Sequence, residues 1–195
     1  MVLPIVKYGH PVLRQKGARI DAITPEVNKL IDDMLETMRA AAGVGLAAQQ
    51  VGHALQLTVL DVREVPDRPS TLFLGGQPAD PNSLMPLVLI NPQLTPAAPP
   101  VAGPEGCLSF PEIYEDISRP ESVEVIALDR HGKAISFKAG GLLGRAVQHE
   151  VDHLNGILFI DRMASADKQA LKPQLEELQA ATRGALARKT PPPAK

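Results

Sequence analysis

Cysteine is nearly missing from this chain: Cys107 is the single one among 195 residues. A lone thiol cannot close an intramolecular disulfide, which fits a reducing compartment and leaves Cys107 either a small buried hydrophobe or a chemical group. An excess of either charge is missing too. Twenty Lys and Arg against 22 Asp and Glu give a net charge of −2 and a pI near 6.2, so there is no basic footprint for direct nucleic-acid or anionic-membrane binding. No window approaches the length that spans a bilayer, and Met1–Tyr8 has no charged segment leading into an apolar run. The expectation is a soluble, cytoplasmic protein with no membrane partner, monomeric, and without internal repeats. At this length the chain is one domain, large enough to bury a core without disulfides.

The elements present follow from capping and periodicity. Thr24-Pro25-Glu26 predicts a helix start, with Thr24 as N-cap and Pro25 at the first helical position. Val27, Leu30, Ile31, Met34, Leu35, Met38 and Ala42 recur at helical spacing, and Gly43 is the expected stop. Strands are predicted at 56–62 and 87–90, and a hairpin joins Ser122–Asp129 to Ala134–Lys138. Residues 63–85, rich in Pro and Gly, read as a long surface loop, either a flap or a tolerated insertion. Residues 96–103 read as an irregular connector. From Ser165 the pattern is helical again, with Leu171, Leu175, Leu178 and Leu186 on a stripe and Pro173 at a kink or restart. The domain is expected to cover 1–180, leaving 181–195 as a basic, then proline-rich tail with a frayed end.

The chemistry centres on Gln148-His149-Glu150-Val151-Asp152-His153, which follows Gly140-Gly141 and ends at Gly156. On a helix, His149 and His153 share one face and can point at one metal ion, while Glu150 can address a water there without ligating it. Leu142, Arg145 and Ala146 lie seven, four and three residues before His149, so they should line the cavity wall. His10, His53 and His131 fall in turns or loops and read as structural or solvated.

Two histidines leave a tetrahedral metal short of a ligand, and no histidine follows His153. Cys107, in Glu105-Gly106-Cys107-Leu108-Ser109, is the one thiol available. Three protein ligands with one open position form a catalytic rather than a structural arrangement. A metal there makes hydroxide available near neutral pH, with Glu150 as the acid and base for carbonyl hydrolysis. Donors for the oxyanion are also needed, each typically contributing about 3 kcal/mol or more; the Gln50 carboxamide and the Leu108 N–H are candidates. Gln50 lies in Gly43-Val44-Gly45-Leu46-Ala47-Ala48-Gln49-Gln50, a run of small residues that lacks the lysine of a phosphate loop. Alone, that run reads as tight packing.

Taken in order, these three segments resemble the three signature motifs of peptide deformylase, and the resemblance covers roughly residues 3 to 180. It implies an α+β fold, with antiparallel or mixed sheets packed around a central metal-binding helix and with N-terminal and C-terminal helices. It implies removal of the formyl group from N-formylmethionyl nascent peptides, with Fe(II) as the metal and Zn, Ni or Co as substitutes. Carried over by position, Cys107, His149 and His153 hold the metal, Glu150 is the acid/base, and Gln50 and Leu108 form the oxyanion hole. The backbones of Val44 and Gly106 would hold the peptide extended, Gly45 is also substrate-binding, and the methionine would enter a pocket beside His149. Three features depart from the pattern: the length of 63–85, Tyr114 where some members carry arginine, and the tail. The competing readings are a zinc endopeptidase and a non-catalytic, ribosome-associated metal-binding protein using Arg183, Arg188 and Lys189.

Overall fold

The computed structural model describes residues 1–189. After an extended start and a 3-10 turn at Pro11–Arg14, which buries Val12 and Leu13, helix α1 spans Pro25–Ala40. Thr24 caps it by accepting from the Val27 N–H, and Leu30, Ile31, Met34, Leu35 and Met38 form its buried face. The predicted stop moves slightly: Ala42, at φ 52°, takes the left-handed turn, and Ala42 itself is exposed.

Nine strands follow: β1 Gly45–Ala47, β2 Leu57–Leu60, β3 Ser70–Leu74, β4 Gln77–Ala79, β5 Leu87–Pro96, β6 Pro100–Cys107, β7 Phe110–Pro120, β8 Ser122–Leu128 and β9 Ala134–Gly140. Seven form one antiparallel sheet in the order β1-β2-β5-β8-β9-β3-β4, while β6 and β7 form a separate two-stranded ribbon. The predicted β8–β9 hairpin is present. The expected loop at 63–85 is not simply a loop, because its centre folds into the β3–β4 hairpin and β3 joins the sheet alongside β9. The expected connector at 96–103 is also corrected. From Pro100 it is strand β6, whose prolines are tolerated because it pairs with a single neighbour in the ribbon.

Helix α2, Gly141–Leu154, lies at the centre, touching β1, β2, β3, β8 and β9 of the large sheet and β7 of the ribbon. From Leu142 to Leu154 every side chain but Arg145 is buried. Its N-terminus has no side-chain cap of its own. Instead the segment entering β3 supplies the partners: the Leu142 N–H donates to Pro69 O at 3.0 Å and the Leu143 N–H to Ser70 Oγ at 3.1 Å, satisfying donors that a helix start leaves open.

Helices α3, Ser165–Ala170, and α4, Lys172–Lys189, complete the chain, with the restart at Leu171 beside Pro173. Helix α4 runs across residue 180, so the expected boundary there falls inside a helix. Residues 190–195, the proline-rich end of the expected tail, lie outside the described residues.

Candidate metal centre

The i,i+4 spacing on α2 does what helical geometry requires, and β6 delivers the third group. Cys107 Sγ lies 3.3 Å from His153 Nε2, and the ligand atoms of Cys107, His149 and His153 all fall within 4.8 Å of one another. A thiolate and two imidazoles at that separation suit a tetrahedral divalent metal with bonds of about 2.0 to 2.3 Å. Burial, then the neighbouring His149, holds the His153 pKa well below its usual value, which favours the neutral imidazole that ligates. Its Nδ1 is buried and has no hydrogen-bond partner.

His149 is oriented differently. Its Nδ1 lies 3.0 Å from Glu105 Oε2. Burial opposes a charged His149, but Cys107 and Glu105 outweigh it and raise its pKa well above the usual range. Glu105 is itself gripped by Arg119, through Nε at 2.5 Å and Nη2 at 2.9 Å, and by Arg145 Nη1 at 2.9 Å. Burial would raise the Glu105 carboxyl, but His149 and Arg119 hold it at about 2. The 2% exposed Arg119 also donates to Asp152 at 2.7 Å, and Asp152 accepts two more bonds from Arg162. One buried guanidinium therefore ties the carboxylate behind His149 to the residue just before His153.

Glu150 points into the same space from α2. Burial pushes its carboxyl up to about 7, and its Oε2 has no protein partner. Room for it comes from Gly45, where a Cβ would overlap the Glu150 carboxyl group. Gln50 is fixed end for end: Oε1 accepts the Ala47 N–H at 2.8 Å, so Nε2 faces Cys107 Sγ at 3.6 Å and Ser109 Oγ at 3.4 Å.

These groups border one cavity of about 580 Å³. The predicted residues Val44, Gly45, Gln50, Gly106, Cys107, Leu108, Leu142, Arg145, Ala146, His149 and Glu150 all line it, and His153 sits behind Cys107. Arg145 has a second task. Its guanidinium clamps the ribbon by donating to Ile117 O at 2.7 Å and Val101 O at 3.0 Å. The Val44 carbonyl already accepts the Asp61 N–H at 2.9 Å. Sequence reasoning gave no role to Glu105, Ser109, Arg119 or Asp152. Glu105, Ser109 and Asp152 sit inside the motif segments and could have been singled out. Arg119 carries no local signal.

The profile of the polypeptide deformylase family matches residues 2–169. The chain belongs to the peptide deformylase family. A deformylase of Methylacidiphilum infernorum is 46% identical over 179 residues, covering 92% of this chain and 94% of that one. The deformylase of Opitutus terrae is 43% identical over 187 residues, covering 95% and 97%. Among solved structures, Arabidopsis thaliana peptide deformylase 1B with a bound inhibitor matches with a TM-score of 0.79 at 34% identity over 99% of this chain and 98% of that one. A Synechococcus elongatus deformylase in complex with actinonin matches at 0.73 and 39% identity, over 92% and 85%. As a deformylase, this chain is a metal-dependent hydrolase. These relatives lend no support to the endopeptidase or non-catalytic readings.

Proposed function

We propose that the chain hydrolyses the formyl group of N-formylmethionyl nascent peptides to formate and a free α-amine, with Cys107, His149 and His153 holding one divalent metal. The observation that carries this reading is the convergence of three ligand atoms, an unpartnered Glu150 oxygen and a donor-oriented Gln50 on one cavity. A metal held there supplies a Lewis acid and a nucleophilic water near neutral pH. Fe(II) follows from the family resemblance, since mixed Cys/His ligation also admits Zn, Ni and Co.

Glu150 takes the proton from the attacking water and returns it to the nitrogen that leaves as the amine. A carboxyl raised to about 7 by burial is matched to both halves of that transfer. The Gln50 amide, locked by Ala47, donates to the oxygen on which charge develops, and the Leu108 N–H is the second donor. The outer edge of β6 at Gly106 and the edge of the large sheet at Val44–Gly45 hold the peptide extended, with the Val44 carbonyl already taken by the Asp61 N–H. Leu142, Ala146 and the stem of Arg145 form the wall beside His149 that the methionine side chain meets. We place the activity in the cytoplasm, in a monomer; the exposed Arg183 and Arg188 on α4 are the groups that a ribosome contact would use.

The test is formate release from a formyl-Met peptide by anaerobically prepared, metal-loaded protein, beside an acetyl-Met control. Turnover of the formyl peptide alone is expected. A fully loaded protein that releases no formate would overturn the reading.

A further inference from the structure

Arg68 enters the catalytic cavity from the segment leading into β3, outside all three motifs. The residue is half-buried, and its guanidinium donates one exposed hydrogen bond, from Nη2 to Pro104 O at 3.1 Å. Arginine carries five donors in a planar fork suited to a carboxylate, and among the described residues Arg68 forms no ion pair. Of the other two cations of this cavity, Arg145 is bound to Glu105 and three carbonyls, and Lys7, which donates to Leu108 O at 2.7 Å, is a point charge without the planar fork that matches a carboxylate. Of the two guanidinium groups in the cavity, Arg68 is thus the one with donors to spare.

Its position along β6 says what it could meet. Pro104 lies two residues before Gly106, about 7 Å along the strand and three residues before the Cys107 ligand. Gly106 is covered by the Tyr114 ring, which a Cβ there would strike at 2.5 Å, and Tyr114 is 72% exposed. A peptide laid along Gly106, with its formyl group at Cys107, would bring its residues beyond the methionine past Tyr114 and Arg68. Resting on the deformylase reading, we propose that Arg68 is a specificity residue that pairs with an Asp or Glu side chain of the nascent peptide downstream of the methionine. Its place on the entry to β3 also holds it steady, because Pro69 and Ser70, the next two residues, are bonded to the start of α2.

The test uses the metal-loaded enzyme and formyl-Met peptides with amidated C-termini, bearing Glu, Gln or Lys at the second or third residue. Amidation removes the terminal carboxylate, so only the side chain can supply the anion. A partly exposed pair predicts about two- to fivefold higher kcat/KM for Glu than for Gln, carried in KM, with Lys the poorest. The preference should shrink in 0.5 M salt and vanish in Arg68→Gln, while Arg68→Lys retains part of it. Equal kcat/KM for Glu and Gln peptides, or a preference that persists in Arg68→Gln, would overturn the proposal with deformylation intact. Absence of formate from every peptide would instead overturn the underlying reading, and this proposal with it.

Discussion

Glu105 Oε2 and His149 Nδ1 lie 3.0 Å apart in a buried contact between strand β6 and helix α2. The ligand helix is thus oriented by the strand that also carries the cysteine. Partners of this kind set the ring position and basicity of a metal-bound histidine. Glu105→Ala is expected to weaken metal affinity by about 10- to 100-fold, measured by competition with a chromophoric chelator. Unchanged affinity would show that the contact does not orient the ligand.

Glu150 separates binding from chemistry. Glu150→Ala should retain the metal and lose about 10²- to 10⁴-fold in kcat, the usual range for a positioned proton-transfer group. Metal content by elemental analysis, read beside formate release, distinguishes this from a collapsed site.

Gly45→Ala makes a related prediction by steric means. The added methyl would overlap the Glu150 carboxyl group, so turnover should fall steeply while Cys107, His149 and His153 keep their metal. Activity equal to that of the parent would mean that Glu150 can work from another rotamer.

Ser70→Ala removes the acceptor for the Leu143 N–H at the start of α2. Loss of a helix-capping hydroxyl costs about 0.5 to 2 kcal/mol, which thermal unfolding of the metal-loaded protein would read as a lowered Tm.

Asp161 supplies the pH dependence. Burial alone would raise its pKa, but the hydrogen bond from Arg14 and the Leu158 N–H hold it below the usual aspartate value of 3.8. A depressed carboxylate stabilises the fold above pH 3.8 and loses that contribution as pH falls through the lowered value. Asp161→Asn should therefore destabilise the protein at neutral pH and flatten its stability curve below pH 4, as followed by urea denaturation.

The convergence of Cys107, His149 and His153 was largely legible because helical spacing fixes the relation of His149 to His153, and the chain offers one thiol. Helix α1 and the β8–β9 hairpin were legible from Thr24-Pro25 and from alternation. What escaped was carried by long-range pairing. Arg119 is buried only because β7 sets it against both Glu105 and Asp152, a relation that no local pattern encodes. The β3–β4 hairpin was hidden by its flanking prolines, although Gly75 and Gly76, at φ 56° and 79°, form the two-glycine turn that marks a hairpin. Strand β6 was obscured by its own prolines and glycines.

The hydrogen bonds from Leu142 and Leu143 to Pro69 and Ser70 make the segment leading into β3 part of the foundation on which His149 and His153 stand. Lengthening, shortening or cutting the chain near residue 68 would not simply trim an ornament on the surface. It would loosen the first turn of the helix that aims two imidazoles and a carboxylate, so damage there would be felt first as impaired metal retention.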